Sequence, residues 1–243
     1  MNIEASAWLM ACAVTLIAAL LQGTVGFGYA VLAVPALSLV DPRLAPVPQI
    51  LTALPLSVWA FAREWRAVDW RGAVWVLSGR VPGALLGALL LMASTQRSLD
   101  ILIGASVLAA VALLSTELRL KRSPWVDFAA GTFGSVSGYV SGISGPPIAL
   151  LFRDASGPAL RATLGLIFTV GIVITLGLRA STGHVSVQDG WVAAVLLVPM
   201  LLGMWLSRRL HGLIEGRILR RALLLTSALA AFGLLGRALL GGP

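Results

Sequence analysis

Long apolar runs alternate with short polar ones along the whole chain. The apolar segments cover about 5–40, 44–62, 72–93, 100–116, 124–152, 162–180, 190–206 and 219–240. A helix needs about 20 apolar residues to cross a bilayer, and six of these segments suit one crossing each. The other two, 5–40 and 124–152, are long for one crossing and short for two. Each is interrupted by glycines, in "QGTVGFG" from Gln22 to Gly28 and in "SGISGPP" from Ser141 to Pro147. Gly costs about 1 kcal/mol and Pro about 3 kcal/mol in a helix interior. Both segments are therefore predicted to break there into two partial helices.

This pattern predicts an all-α polytopic integral membrane protein. Composition agrees: of 243 residues 58% are hydrophobic and 12% charged, with mean hydropathy +0.93. A soluble domain carries roughly twice that charge, and a membrane barrel would show short alternating segments instead. The first 22 residues hold Glu4 and no Lys or Arg, which lacks the basic start of a signal peptide and reads as mature helix. The single cysteine, Cys12, excludes an intrachain disulfide and reads as a packing residue. His184 and His211 fall in predicted loops without metal-ligand neighbours. No phosphate-binding loop, nucleophile elbow or zinc motif is present, so ATP-driven pumping within this chain and hydrolysis are not expected. Neither is a cofactor or an enzyme activity.

The chain repeats itself. "GTVGFGYAVL" at Gly23 aligns with "GISGPPIALL" at Gly142, matching Gly23 with Gly142, Gly26 with Gly145 and Ala30 with Ala149 at an offset of 119. Asp69 matches Asp189 and Gly83 matches Gly203 at an offset of 120. Two transmembrane repeats follow, 1–122 and 123–243, forming one membrane domain.

The net charge of +8 resembles a nucleic-acid signal, but its placement points to topology, and no nucleic-acid partner is expected. If each broken segment is a re-entrant hairpin, the loops at 63–71, 117–123, 153–161 and 207–221 share one side and hold 13 Lys/Arg. The other side holds four, Arg43, Arg97, Arg179 and Arg237. By the positive-inside rule the basic loops are cytoplasmic and both termini lie outside. Each half is then a hairpin plus about three crossings. An odd number of crossings gives the halves inverted topology, an architecture recurrent in secondary transporters. Most of the eight tryptophans lie near segment ends, as interfacial anchors do.

A helix that starts inside the membrane directs free N–H groups, and about half a positive charge, at whatever faces it. The starts predicted near Phe27–Tyr29 and Gly145–Ile148 would face each other and bind a small anion. Pro146 suits a first helical position. The expected binding residues are Gln22, Gly23, Thr24, Gly26 and Gly28 in the first half, and Ser141, Gly142, Ser144, Gly145 and Pro146 in the second. Glycines that merely allow close packing are the plainer alternative. Arg80 lies about 12 Å into the 72–93 helix at 1.5 Å per residue. A charge that deep marks function by default, and its planar fork suits an oxoanion. The plainer reading is an arginine that snorkels to the interface or pairs with Asp127. Asp127 is also a candidate to carry a coupling proton, although capping or interface pairing is the plainer reading. Gly83 and Gly87 read as a packing face, and the basic stretch near His211 as topology and lipid headgroup contact.

"LLQGTVGFGYAVLAVPAL" and "GSVSGYVSGISGPPIALLF", in two halves of about 120 residues, resemble the TauE/SafE sulfite exporter family of the toluene sulfonate uptake permease superfamily. The resemblance covers essentially the whole chain. It implies a transporter in the inner membrane of a bacterium or archaeon that handles sulfite, organosulfonates or related sulfur oxyanions, often as an exporter. Its motifs fall on Gly23 to Gly28 and on Gly142 to Pro147; Arg80 rests on the reading of the residues alone. The mechanism expected is alternating access around a midplane anion site. The rival readings are uptake, another small anion, a channel, or a non-transporting membrane subunit. A homo-oligomer is compatible with any of them.

Overall fold

A computed structural model describes residues 3–25, 28–116, 121–210 and 216–240. Ten α-helices and two short 3-10 turns, with no strand among the described residues, make up the fold. The helices are α1 (Ala5–Val25), α2 (Tyr29–Val40), α3 (Val47–Glu64), α4 (Trp70–Met92), α5 (Gln96–Ser115), α6 (Pro124–Ser141), α7 (Gly145–Leu151), α8 (Gly157–Ser181), α9 (Val187–Leu210) and α10 (Gly216–Leu240). Six helical segments are long and apolar enough to cross a membrane. The protein is a multi-pass membrane protein.

Local chemistry sets the helix ends. Asp69 caps α4 by accepting from the Gly72 N–H at 3.1 Å. Thr95 and Ser98 form a reciprocal capping box on α5. Ser123 caps α6, with Pro124 in its first turn, where a missing N–H costs nothing. Both predicted breaks occur. Gly28 precedes α2 with φ 111°, and Gly142 closes α6 with φ 74°. Both lie in the left-handed region that a side chain disfavours.

The arms are less equal than the sequence suggests. α1 has 21 residues and α2 has 12, while α6 has 18 and α7 only 7. α1 alone is about 31 Å long at 1.5 Å per residue, a full crossing by length. The reason lies in packing. A Cβ at Gly23 would stand 2.0 Å from Ser207 Oγ, so Gly23 serves close contact with α9. The helix runs on through it, and the break falls nearer Gly28.

The long helices pack in pairs. α4 lies along α6, and α9 lies along α1. α3 packs on α8, and α5 on α10. Small residues make the close approaches. A Cβ at Gly83 would stand 2.4 Å from the Thr132 carbonyl, and one at Gly203 would stand 2.3 Å from that of Leu16. Without a hydrophobic force between helices in lipid, such close packing is a main source of association. Gly87 likewise abuts Tyr139, as its packing reading expects.

One apolar core gathers around α1 and α2, with Leu37, Val107 and Leu196 at its centre. A second lies among α4 and α6–α8, around Val76, Ile148, Phe152 and Ile167. Ion pairs fasten the periphery. Arg161 holds Glu64 at 2.7 and 3.0 Å, joining α8 to α3. Arg237 holds Asp100 at 2.8 and 3.0 Å and reaches the Ser38 carbonyl at 2.9 Å.

Candidate functional site

Both helix breaks open onto one cavity of about 70 Å³. α1 contributes Gln22, and the α2 start contributes Gly28, Tyr29, Ala30 and Val31. The second break contributes Gly138, Gly142, Ile143, Ser144 and Gly145. The remaining walls are Ile50, Ala53 and Ser57 of α3, Arg80 of α4, and Phe168, Gly171, Ile172 and Thr175 of α8. The volume is far below the roughly 300–1,000 Å³ of a drug-sized pocket. It suits an ion of a few heavy atoms.

Arg80 sits at mid-length of α4 and is 1% exposed. Its Nε has no hydrogen-bond partner. Its Nη2 lies 3.5 Å from Ser144 Oγ, and its guanidinium carbon is 5.9 Å from the Phe168 ring centroid. Gly171 makes room for it, since a Cβ there would be 2.4 Å from Arg80 Cζ. Ser135 Oγ donates to the Arg80 carbonyl at 2.8 Å and ties α6 to that turn. Among the described residues no carboxylate lines the cavity. The expected alternative pairing with Asp127 does not occur: Asp127 accepts from Arg122 at 2.9 Å.

The first break is built as a donor surface. Gln22 Oε1 accepts from the Tyr29 N–H at 2.8 Å. That fixes the amide orientation, so its NH2 group is left as donor, without a partner among the described residues. The Tyr29 hydroxyl donates to Gln49 Oε1 at 2.7 Å and sits 2.9 Å from Thr52 Oγ1. This buried network locks the α2 start onto α3. At the second break Pro146 and Pro147 have no N–H to give, so α7 offers fewer backbone donors than its position suggests. The Ser144 hydroxyl beside Arg80 is its polar contribution.

Of the residues expected at the site, Gln22, Gly28, Arg80, Gly142, Ser144 and Gly145 line the cavity. Thr24 does not, because its hydroxyl donates to the Leu20 and Leu21 carbonyls of its own helix at 3.1 and 2.9 Å. Ser141 Oγ donates to the Ser137 carbonyl at 2.7 Å and accepts the Ile143 N–H at 3.4 Å, shaping the break from behind. Gly23 packs on Ser207 as described above, and Pro146 is buried away from the lining. Gly26 and Phe27 lie outside the described residues, as does His211.

Sequence reasoning missed Tyr29, Phe168, Gly171 and Thr175. Positions 168, 171, 172 and 175 fall on one face of α8 at helical spacing. That face was the available signal, but it reads like any packing face. Arg179 was also missed as a buried residue. It is 3% exposed, and it donates through Nε to the Tyr139 carbonyl at 3.1 Å and through Nη2 to that of Val140 at 3.4 Å. A cation at a helix C-terminus is favourable, and here it braces α6 immediately before the break.

A second cavity of similar size, about 70 Å³, holds Arg179, Asp100, Gln96 and Ser38. Pro46 lines this one and Ile50 the first. Pro46, Ile50 and Val34 close around Gly142, each about 3.5 Å from where its Cβ would be. These side chains make an apolar collar around Gly142 beside the residues that line the two cavities.

Away from the membrane-spanning segments, Arg122 bridges Asp69 at 2.7 Å and Asp127 at 2.9 Å. Burial pushes the Asp69 carboxyl up, but the Arg122 guanidinium and the Gly72 N–H outweigh it and hold it below the usual range. The Asp127 hydrogen bond holds Arg122 above its ordinary value against partial burial. Among the described residues no group of His, Cys, Asp and Glu is arranged to hold a metal ion.

A family model described as sulfite exporter TauE/SafE matches residues 11–234. A relative from Cupriavidus necator, named a probable sulfite/organosulfonate exporter TauE, is 29% identical over 199 residues, which is 75% of this chain and 77% of the relative. No solved structure gave a significant match.

Proposed function

The chain belongs to the TauE/SafE sulfite exporter family, and on that premise we propose that it exports sulfite, an organosulfonate or a related sulfur oxyanion through the cavity around Arg80. The family is one of transporters, not enzymes. One observation carries the site assignment: a fully buried guanidinium faces a small cavity with no carboxylate among the described residues to neutralise it. An isolated buried charge is costly, and a sulfur oxyanion supplies the missing partner. The Gln22 amide and the Ser144 hydroxyl add donors around the charge.

Alternating access takes the ion from one cavity to the other past the apolar collar of Val34, Pro46 and Ile50. The mirrored helix order and packing support two inverted repeats, 1–122 and 123–243, as the moving halves. The basic loops face the cytoplasm of a bacterial inner membrane. An inside-negative potential drives anion export at about 2.3 kcal/mol per charge per 100 mV, so no coupling ion is required. Asp127, held by Arg122 and absent from the cavity wall, serves the fold in this scheme.

The test is thermal unfolding of the detergent-purified protein with sulfite, thiosulfate, sulfoacetate, toluene sulfonate, acetate and chloride at matched ionic strength. One or more sulfur oxyanions should stabilise it selectively, and the same ions should exchange in counterflow across proteoliposomes. Equal stabilisation by acetate or chloride, or no stabilisation by any of the six, would overturn the substrate class.

A further inference from the structure

We propose that the outward cleft between α3 and α9 is a binding site for an anionic phospholipid, which holds an acyl chain between the helices and its phosphate among Arg63, Arg66 and Arg209. The cleft measures about 350 Å³, and its walls are apolar, with Pro55 and Trp59 on α3 and Met200, Leu201, Met204 and Trp205 on α9. Leu201 and both tryptophans are exposed. Thioether side chains adapt to a flexible chain, and tryptophans favour the interfacial depth.

The rim is cationic. On each helix an arginine follows the tryptophan by four residues, about one turn. The Arg63 guanidinium carbon lies 5.4 Å from the Trp59 ring centroid, and that of Arg209 lies 4.9 Å from the Trp205 ring centroid. Arg63 also lines an adjoining open pocket of about 400 Å³ with Trp65, Glu64 and Arg66. Arg66 stacks on Trp65 at 5.4 Å. Glu64 is the acid in that pocket, and Arg161 already holds it through two hydrogen bonds. Arg63, Arg66 and Arg209 have no acidic partner among the described residues.

Arg63 of the second pocket stacks on Trp59 of the first, so the apolar cleft is flanked by guanidinium groups that have no acidic partner among the described residues. Arginine forks match a phosphate bidentately. A zwitterionic headgroup would bring an ammonium group into the same positive field, which favours an anionic lipid over a neutral one.

The test uses the full chain in mixed micelles with phosphatidylglycerol, phosphatidylcholine or soluble glycerol phosphate at equal phosphate concentration. Thermal unfolding and native mass spectrometry are the readouts. Phosphatidylglycerol should stabilise selectively and remain bound, while glycerol phosphate should not. Its affinity should fall about fivefold for each arginine removed in the series R63Q, R63Q/R66Q and R63Q/R66Q/R209Q. R71Q, an exposed arginine elsewhere, should leave it unchanged. Leu201→Trp, at an exposed wall position, should weaken phosphatidylglycerol binding with every arginine in place. Any one of four results would overturn the assignment: equal responses to the two lipids, a response to glycerol phosphate alone, an unchanged response in the triple variant, or a lipid-free dimer that shields Trp59 and Trp205 from a micelle-phase quencher.

Discussion

Replacing Arg80 with glutamine should move stability and binding in opposite directions. In the empty protein the Arg80 guanidinium is buried, its Nε is unpartnered, and its one hydroxyl contact is long at 3.5 Å. An arginine at membrane depth costs about 2.5–3.5 kcal/mol on insertion scales. Glutamine removes that charge and leaves a smaller void. The empty variant should therefore unfold at the same temperature as the parent or slightly above it. Binding should suffer. A hydrogen bond to a charged group contributes about 1.5–3 kcal/mol, and a bidentate fork supplies two. Losing them, less what the glutamine amide recovers, weakens the anion by about 3 kcal/mol, or roughly 150-fold. A sulfur oxyanion at 100 times its parental dissociation constant stabilises the parent by about 2.7 kcal/mol. At the same concentration the variant should gain about 0.3 kcal/mol. Arg80→Lys keeps the charge but not the planar fork and should fall between them. A strongly destabilised empty variant that still binds the anion with parental affinity would show that Arg80 holds the fold and not the ligand.

Three further outcomes follow from the geometry. Gly171→Ala forces its Cβ against Arg80 Cζ and should weaken anion binding about tenfold. The control Gly177→Ala, with nothing within 4 Å, should bind normally and gain about 0.5–1 kcal/mol of stability. Gln22→Glu keeps an acceptor for the Tyr29 N–H but exchanges the amide donors for a negative charge. Titration calorimetry should show anion affinity down more than about tenfold, with circular dichroism unchanged. The Arg122 bridge predicts acid sensitivity. The Asp69 pKa is depressed on folding, so its contribution is complete above the ordinary carboxylate value of about 4 and is lost as pH falls through the depressed value. Unfolding temperatures measured from pH 6 down to 3 should fall more steeply in the parent than in Asp69→Asn, and equal slopes would refute the linkage.

The sequence by itself determined the class and the places where the chain breaks. Apolar runs of crossing length can only be helices in lipid, because every backbone group must be satisfied within its own segment. Glycine and proline costs are local, so Gly28 and Gly142 could be read as break points without knowing their neighbours. Arg80 stood out for the same reason, since its cost depends on depth alone. Contacts between distant segments were beyond that reach. Whether a glycine breaks a helix or seats another one depends on what arrives opposite, and Ser207 turned Gly23 into a packing residue. Whether a hydroxyl is a donor to a ligand depends on nearer acceptors, and the carbonyls of Leu20, Leu21 and Ser137 claimed Thr24 and Ser141. Arg179 counted as a loop charge until the C-terminal carbonyls of α6 buried it. The α8 face at Phe168, Gly171 and Thr175 carries a spacing common to every packed helix, and only the approach of Arg80 from α4 makes it the wall of a site.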